Sequence, residues 1–272
     1  MKNPVSFPIL CGSIAGSIGG MGVRMHNAAF KHLNLPYTYV SFEPASAKGA
    51  VDAMRQMGIR GLGVTMPFKE EVIPLLDDLD PVASEIHAVN TIVNQEGQLT
   101  GYNTDAYGFL TALFAHTDLM DKRVAVIGAG GAAKTIVWAL KQHTQHIALY
   151  NKSTDRGLKV AELFGIEFKG SHDLLNASSD YDILVNATSV GFKSDDTLLS
   201  RDRFVPGSVV FDVVFIPTET TFIREARAVG CVGISGTEML MHQACKQFKL
   251  YTKIPAPTEV YESVMKTILS GG

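Results

Sequence analysis

The sequence predicts an α/β protein built of two domains. Its 272 residues exceed the size of one average domain, which is about 150 residues. Strand patterns alternate with helix patterns along most of the chain, and the alternation starts again at Arg123 after a polar loop. Such alternation is typical of parallel sheets covered by helices. We therefore expect one α/β unit in the N-terminal part and a second one after it.

The N-terminal part begins with a predicted strand that leads into a glycine-rich loop. The glycines from Gly12 onward interrupt the apolar run, which disfavours a secretion signal. The patterns that follow predict a strand over 37–42, a helix over 45–57 and a strand over 60–66. Pro67 is expected to open a helix, because its missing N–H would be unpaired there anyway. Thr104 or Asp105 is the expected N-cap of the next helix.

The second α/β unit extends from about 106 to about 235. A short apolar strand over 124–127 runs directly into Gly128-Ala129-Gly130-Gly131, and a helix follows over 132–142. The remaining patterns predict strands over 146–150, 183–185, 209–212 and 231–234, and a helix over 154–164. Two further helical patterns, over 238–250 and 258–269, close the chain.

The glycine turn predicts a dinucleotide site. Gly128, Gly130 and Ala133 fit G-x-G-x-x-G/A between a strand and a helix. The first glycine permits the tight turn, the second lets the backbone approach a pyrophosphate, and the small third residue packs helix on strand. Gly131 and Ala132 lie at the helix start, where free N–H groups and the positive dipole end attract phosphate.

The end of the next strand indicates which dinucleotide binds. NAD-binding domains usually place Asp or Glu there for the ribose 2′-hydroxyl. Here the strand ends in Asn151-Lys152-Ser153, with Arg156 one turn on and Asp155 as the nearest carboxylate. Lys and Arg can hold a 2′-phosphate, and Arg can do so with two hydrogen bonds. We therefore expect NADP rather than NAD.

Polar residues at several strand ends indicate a ligand site in the N-terminal part. Singly, Lys69 is most simply a surface lysine and Asp105 a helix cap. Together they would line a crevice at the ends of parallel strands. The set consists of Thr65, Lys69, Asn90, Thr91, Asn103, Thr104 and Asp105.

Composition excludes several classes of protein. The net charge of −3 does not suggest a nucleic-acid binder, and no apolar run is long enough to span a membrane. The three cysteines are far apart, which disfavours a disulfide framework and favours a reduced, cytoplasmic chain. The closest histidine pair, His143 and His146, falls across a loop, so no metal is expected.

These segments resemble the shikimate dehydrogenase family over most of the chain. Residues 61–69 fit G-x-N-V-T-x-P-x-K, 101–105 fit G-x-N-T-D, and 128–133 fit the GAGGAA turn. Residues 186–191 fit N-A-T-S-x-G, 212–220 fit D-x-V-Y-x-P-x-x-T, and 239–243 fit M-L-x-x-Q. The combination of Lys69, Asp105 and the GAGGAA turn is specific.

The resemblance implies an N-terminal α/β substrate domain, a Rossmann-like NADP-binding domain and an active site in the cleft. The substrate domain would comprise residues 1–105 with 236–272, because the closing helices return to it, and the cofactor domain residues 106–235. The implied enzyme interconverts a cyclic hydroxy acid and its keto acid with NADP(H), as a monomer or homodimer. Its implied pathway is aromatic amino acid biosynthesis.

The resemblance also assigns residues. Lys69 and Asp105 would carry the proton chemistry. Ser17, Thr65, Asn90, Asp105 and Gln243 would bind the substrate. The cofactor would contact Gly128, Gly130, Gly131, Ala132, Asn151, Lys152, Ser153, Arg156, Thr188 and Gly236.

Several positions depart from the family motifs. The family's opening loop carries two serines that hold the substrate carboxylate. Aligned from Gly12, Ser17 takes the place of the first serine and Gly19 that of the second; aligned from His26-Asn27, Gly20 and Gly22 take both. Either way at least one hydroxyl is lost, so we expect weak activity on shikimate.

Single-residue exchanges accompany the changed loop. They are Gly63 for Asn, His87 for Gly, Lys152 for Arg in the Asn-Arg-Thr stretch, and Phe215 for Tyr. Arg24 is most simply a solvated arginine at a helix start, but either Arg24 or His87 could be the partner of a different acid. The alternatives are a quinate-type dehydrogenase, an NADP-binding regulator with little turnover, and a reductase of the glutamyl-tRNA reductase type. The last requires a nucleophilic cysteine that the sequence does not reveal.

Overall fold

The structure is a computed structural model that describes residues 8–16, 20–171, 173 and 181–269. It divides into two compact units, Met1–Thr104 with Gln243–Gly272, and Asp105–His242. The first unit is therefore made of two separate stretches of chain. The division falls inside one continuous helix, Gly236–Thr252.

The first unit contains a six-stranded sheet. Its strands are β1 Ile9–Ile14, β2 Tyr37–Phe42, β3 Gly61–Val64, β4 Asp78–Leu79, β5 Thr91–Gln95 and β6 Gln98–Tyr102. The strand order is β2-β1-β3-β5-β6-β4. Its helices are α1 Met21–His32, α2 Ala47–Met57 and α3 Pro81–Ile86.

The second unit contains a parallel six-stranded sheet. It begins with α4 Asp105–Phe114, and its other elements are β7 Val124–Ile127, α5 Gly131–Lys141, β8 Ile147–Tyr150, α6 Thr154–Phe164, β9 Glu167–Phe168, β10 Ile183–Asn186, β11 Val209–Asp212, α7 Thr221–Ala228 and β12 Val232–Ile234. The strand order is β12-β11-β10-β7-β8-β9, and every pair is parallel. This is the Rossmann order, whose direction reverses between β7 and β10. The chain ends with α8 Gly236–Thr252 and α9 Thr258–Leu269.

The sheet of the first unit is mixed, whereas the alternation had predicted a parallel one. β5 pairs antiparallel with β3 and with β6. Glu96 and Gly97 join β5 to β6 with φ of +55° and +94°. Two consecutive positive φ values are the mark of a type I′ hairpin turn, which reverses the chain without a crossover helix.

The predicted helix at Pro67 is wrong. Residues 66–72 form turns, and a short 3₁₀ helix follows at Ile73–Leu75. In a helix the carbonyl of Lys69 would accept the N–H of Ile73, but here it accepts the N–H of Val89 at 2.9 Å. A backbone contact with a distant segment thus replaces the helical hydrogen bond, and it fixes Lys69 next to the segment that carries Asn90.

An aromatic cluster fills one side of the first unit. His26 of α1 is fully buried, stacks on Tyr39 at 4.4 Å, and its Nδ1 lies 2.9 Å from the hydroxyl of Tyr261 in α9. Phe30 and Phe248 stack beside it. Burial lowers the pKa of His26 to about 4, so the imidazole is neutral at physiological pH. The returning helices are therefore part of the core of the first unit.

Candidate active site

Asn90 lies at the centre of a buried polar network in the first unit. Its Oδ1 accepts the backbone N–H of Thr104 at 2.7 Å and the hydroxyl of Thr91 at 2.9 Å. Its Nδ2 donates to Thr104 Oγ1 at 2.9 Å. The Thr104 hydroxyl also donates to Oε1 of Gln243 at 3.2 Å. Asn90 and Gln243, distant in sequence, therefore share one hydrogen-bond network.

Gln247 supports this network from the next turn of α8. Its Nε2 donates to Thr91 Oγ1 at 2.9 Å and to the carbonyl of Asn90 at 3.3 Å. Gln247 is buried, whereas Gln243 is half-buried. The sequence analysis missed Gln247. The available signal was its position four residues after Gln243, which places both amides on one face of a helix.

Thr65 and Lys69 lie on the turn that follows β3. The N–H of Thr65 donates to the carbonyl of Ile14 at 3.1 Å, and Thr65 is exposed. Lys69 is half-buried. Val64, the last residue of β3, donates its N–H to the carbonyl of Asn90 at 2.7 Å. Thr65, Lys69 and the Asn90 network therefore belong to one backbone framework within the first unit.

Of the other predicted substrate residues, the structure describes Asp105 but not Ser17. Asp105 is the first residue of α4 and directly follows Thr104; it is half-buried and is the first residue of the second unit. Ser17 and Gly19 lie outside the described residues. Arg24 is exposed on α1.

Gly63, which stands where the family motif has Asn, has no room for a side chain. A Cβ atom at Gly63 would lie 2.9 Å from the hydroxyl of Tyr39 and 3.4 Å from Nε2 of Gln247. The first distance is shorter than real Cβ contacts. The Tyr39 hydroxyl therefore occupies the space that a side chain at position 63 would need, and residues 39 and 63 constrain each other.

His87 occupies a backbone position that favours glycine. It follows α3 as C-cap with φ +55° and ψ +42°, and its N–H donates to the carbonyl of Ala83. The left-handed conformation costs a residue with a Cβ about 1–2 kcal/mol. The family's glycine at this point is thus explained by the helix cap, and His87 adopts the same cap with an exposed side chain.

The predicted dinucleotide turn lies at the switch point between β7 and β10. Gly128 has φ +126°, and a Cβ there would lie 2.8 Å from the carbonyl oxygen of Ala187. No side chain fits this position. Gly130 is the N-cap of α5 and provides no capping side chain. Cβ positions at Gly130 and Gly131 meet nothing within 4 Å, so the helix N-terminus is open to a phosphate group.

The basic residues after β8 are exposed beside this turn. Gly128 donates its N–H to the carbonyl of Tyr150, the last residue of β8, at 2.8 Å. The Asn151 amide donates to the carbonyl of Ser153 at 2.7 Å and shapes the loop. Lys152, Ser153 and Arg156 are all exposed, and the Ser153 hydroxyl makes no cap hydrogen bond. These donors and charges fit a dinucleotide that carries a 2′-phosphate.

Thr188 and Gly236 complete the predicted cofactor residues. Thr188 follows β10, and its methyl group would lie 3.2 Å from a Cβ at Gly128. Gly236 begins α8, and a Cβ there would collide with the carbonyl oxygen of Val213 after β11. Ala132 is half-buried in the first turn of α5.

The described residues contain neither a candidate membrane span nor a candidate metal cluster. No helix there is both long enough and apolar enough to cross a bilayer. His, Cys, Asp and Glu form no group of three in that part of the chain that could hold a metal ion.

Three family models match the chain. They describe a shikimate dehydrogenase substrate binding domain over residues 20–92, a shikimate/quinate 5-dehydrogenase over residues 111–204, and a shikimate 5′-dehydrogenase C-terminal domain over residues 236–266. Together these three segments include most of the chain.

Individual proteins are similar over nearly their full length. A shikimate dehydrogenase (NADP(+)) from Pyrococcus abyssi is 39% identical over 248 residues, covering 91% of this chain and 93% of its own. A shikimate dehydrogenase-like protein from Haemophilus influenzae is 38% identical over 248 residues, covering 89% and 90%. The crystal structure of shikimate 5-dehydrogenase from Thermus thermophilus with NADP(H) and shikimate matches with a TM-score of 0.88 at 31% identity, covering 95% of this chain and 99% of that one.

Proposed function

The chain belongs to the shikimate dehydrogenase family, and from this membership we propose its substrate class and the residues that carry the reaction. It is an NADP-dependent oxidoreductase of the shikimate/quinate dehydrogenase family. Its substrate is a cyclic hydroxy acid, which it interconverts with the keto acid, and its activity on shikimate is weak.

The observation that carries this proposal is the Asn90 network. A buried amide held in one orientation by Thr91 and Thr104, with Gln243 on the same network, is suited to binding a substrate hydroxyl. Lys69 is anchored next to it through the hydrogen bond between its carbonyl and the N–H of Val89. A lysine and an oriented amide on one framework satisfy both needs of alcohol oxidation, namely substrate orientation and a proton carrier.

We assign the proton transfer to Lys69. When bound, NADP would supply the hydride acceptor for alcohol oxidation, and NADPH the hydride for the reverse reaction. In the oxidative direction Nζ of Lys69 takes the hydroxyl proton. In the reductive direction the charged ammonium stabilises the developing alkoxide and donates the proton to it. From the family resemblance, we also assign Asp105 to the proton chemistry and to substrate binding. Asn90 and Gln243 orient the ring hydroxyls.

The weak activity on shikimate is derived from the start of α1. Gly20 is the N-cap of α1 without a side-chain hydrogen bond, and Gly22 is the second helical residue. Neither glycine offers the hydroxyl that family members provide for the carboxylate. One lost charge-assisted hydrogen bond costs on the order of 1.5–3 kcal/mol. A displaced ring also lowers kcat, because the reacting carbon is no longer aligned. Together these effects reduce kcat/KM by about a hundredfold.

Steady-state kinetics with shikimate and quinate at saturating NADP test this function. We expect measurable turnover of shikimate with a kcat/KM well below about 10⁶ M⁻¹s⁻¹, the middle of the usual enzyme range. A value near that figure would show that the loop does not limit the reaction. NADPH binding without turnover of any cyclic hydroxy acid would instead identify a cofactor-binding regulator. Arg24→Ala tests whether that exposed arginine binds a different acid.

A further inference from the structure

Asp212 is a buried carboxylate that the proposed reaction does not use. It is the last residue of β11 and is fully buried. Its Oδ2 accepts the Thr220 hydroxyl at 2.6 Å, and its Oδ1 accepts Nδ2 of Asn186 at 2.9 Å and the N–H of Val214 at 3.0 Å. Burial raises its pKa to about 6, and these hydrogen bonds oppose that rise. Burial of a charged carboxylate costs free energy, which hydrogen bonds offset. The three donors also fix the orientation of the carboxylate.

Asn186 connects this carboxylate to the loop after β10. Asn186 and Asp212 are register partners at the ends of neighbouring strands. The Oδ1 of Asn186 accepts both the N–H and the hydroxyl of Thr188, at 2.9 and 2.7 Å. The Thr188 hydroxyl in turn accepts the N–H of Val190 at 3.0 Å. One chain of hydrogen bonds therefore runs from Thr220 through Asp212 and Asn186 to the 187–190 loop.

Asp212 is the charged acceptor among the groups that set which way the Asn186 amide faces. An amide has one donor end and one acceptor end, and a carboxylate can only accept. Nδ2 must therefore point at Asp212, which leaves Oδ1 for Thr188. The reversed amide would place an NH₂ group against the N–H of Thr188, where neither could accept. Asp212 therefore holds the donor end of the amide together with the Val190 carbonyl, which accepts Nδ2 at 3.2 Å, while the Thr188 N–H holds the acceptor end.

The loop held in this way lies against the dinucleotide turn. The Ala187 carbonyl and the Thr188 methyl group are the atoms that a Cβ at Gly128 would meet, at 2.8 and 3.2 Å. β7 and β10, which lead into the two loops, are adjacent at the switch point. A shift of the 187–190 loop would change the wall of the cofactor site directly.

We propose that Asp212 is a positioning residue for NADP binding, which acts by orienting the Asn186 amide and thereby fixing Thr188 beside the Gly128 turn. The proposal rests on the proposed function, because it takes Thr188 as a cofactor contact. It also explains why two motifs distant in sequence, N-A-T-S-x-G and D-x-V-x-x-P-x-x-T, are present together, since Asn186, Asp212 and Thr220 belong to one network.

Two substitutions at position 212 separate orientation from charge. Asp212→Ala removes the shorter of the two hydrogen bonds that hold Asn186 Nδ2 and leaves only the 3.2 Å bond to the Val190 carbonyl. Asp212→Asn keeps an Oδ1 acceptor for Asn186 and Val214, while its Nδ2 can donate to the Thr220 hydroxyl. Thr144→Val is the matched control, since Thr144 is buried in the same unit and its hydroxyl donates to the carbonyl of Lys122. This bond lies before β7 and β8, at the amino-terminal ends of the strands, whereas Asp212 lies at a carboxyl-terminal end.

The first readout is the dissociation constant of NADPH by fluorescence titration. We expect Asp212→Ala to raise it at least tenfold, while Asp212→Asn and Thr144→Val stay within threefold of wild type. The second readout is amide hydrogen exchange without cofactor. The amides of Thr188 and Val190 should lose protection in Asp212→Ala and retain it in Asp212→Asn.

If Asp212→Ala does not fold, Thr220→Val takes its place in the experiment, because Thr220→Val removes one of the three hydrogen bonds to the carboxylate. For Thr220→Val we expect at least a threefold weaker NADPH affinity. The proposal is overturned if the variant used binds NADPH as tightly as wild type, or if Asp212→Asn loses as much affinity as Asp212→Ala. Failure of the wild type to bind NADPH would refute the proposed function instead, and the exchange rates would still decide whether Asp212 holds the loop.

Discussion

Gln247 donates a 2.9 Å hydrogen bond from Nε2 to the hydroxyl of Thr91, and Thr91 donates its own proton to Oδ1 of Asn90 at 2.9 Å. The Asn90 amide, which we propose binds substrate, is therefore supported through Thr91 by Gln247, which lies one helical turn after Gln243. This arrangement assigns the two glutamines of α8 different tasks: Gln243 shares the network at its half-buried end, and Gln247 fixes the network from inside.

Gln247→Met should weaken substrate binding without disabling the chemistry. The substitution keeps the length of the side chain but leaves Thr91 and the carbonyl of Asn90 without their donor. A loss of about 1.4 kcal/mol corresponds to a tenfold rise in KM for the hydroxy acid. We expect kcat within threefold of wild type and an unchanged NADPH affinity. Asn94→Ala is the control, because Asn94 is also a buried amide but its side chain bonds to Met54 and Gly97, outside the Asn90 network. An equal rise in KM for both variants would contradict the prediction.

Lys69→Ala should lower kcat by about a hundredfold or more, because proton transfer is needed mainly in the transition state. The KM should change less, and the dissociation constant of NADPH should stay near wild type. Lys48→Ala provides the matched control, since Lys48 is an exposed lysine of the same unit that pairs with Asp52 on α2. Turnover of Lys69→Ala within threefold of wild type would show that Lys69 does not carry the proton.

Arg156→Ala should reduce the preference for NADP over NAD. Arg156 is exposed at the start of α6, near Lys152 and Ser153 and past the end of β8. Wild type should bind NADP at least about tenfold tighter than NAD, because one charged phosphate contact provides about 1.4 kcal/mol. The variant should lose most of this ratio while its NAD affinity is unchanged. Fluorescence titration measures both constants, and equal affinities in the wild type would contradict the assignment.

His87→Gly should stabilise the protein. His87 has φ +55°, and glycine adopts this conformation without the cost of a Cβ. The gain of about 1–2 kcal/mol is reduced by the greater entropy of glycine in the unfolded chain, about 0.4–1 kcal/mol. A net gain of about 0.5–1 kcal/mol raises Tm by roughly 2 °C. His143→Gly, at a residue without positive φ, should instead lower Tm. A fall in Tm for His87→Gly would show that its side chain makes a compensating contact.

Acid should affect the two units in opposite directions through His26 and Asp212. The folded pKa of His26 is about 4, below the ordinary 6.5, so only the unfolded chain binds a proton there between these values. The stability that neutral His26 contributes is lost as pH falls from 6.5 to 4. The folded pKa of Asp212 is about 6, above the ordinary 3.8, so this group adds stability as pH falls through 6.

Replacing each group isolates its contribution to this pH dependence. His26→Phe keeps an aromatic ring in the cluster and should reduce the acid destabilisation of the first unit by on the order of 2–3 kcal/mol across the window. Asp212→Asn should make the second unit more sensitive to acid. Hydrogen exchange of β1 and β3 amides against β10 and β11 amides, at pH 6.5 and 4.5, measures the two units separately. An unchanged pH slope in His26→Phe would contradict the assignment.

The geometry of the glycine turn after β7 could be predicted from sequence because its backbone requirements are local. Gly128, Gly130 and the basic residues after β8 lie within one strand–helix–strand segment, and each backbone requirement restricts one residue. The helix α6 and the strand β11 have the predicted bounds for the same reason. The roles of Lys69, Asp105 and Gln243 came only from the family resemblance, since spacing alone could not distinguish them from surface residues.

The remaining features depend on contacts between distant segments. The turn after Pro67 forms because the N–H of Val89 donates to the carbonyl of Lys69 and replaces the helical hydrogen bond. A contact with so distant a segment leaves no pattern in the local sequence. The pair of Asn186 and Asp212 follows from the register of two parallel strands. Tyr39 and Gly63 constrain each other across the sheet, so the missing Asn at position 63 is explained only when the position of the tyrosine hydroxyl is known.

Because the first unit consists of two separate stretches of chain, it cannot be completed early in translation. Residues 105–242 form one uninterrupted stretch, whereas the first unit is completed only when residues 243–272 follow them. The strands of its sheet are made first, and the helical segment that packs on them is made last. Until then His26 lacks Tyr261, and Gly61 lacks the Tyr251 ring that packs directly against it. An apolar face made early in translation is therefore covered only at its end, and nascent chains stalled before residue 243 should recruit chaperones through that face.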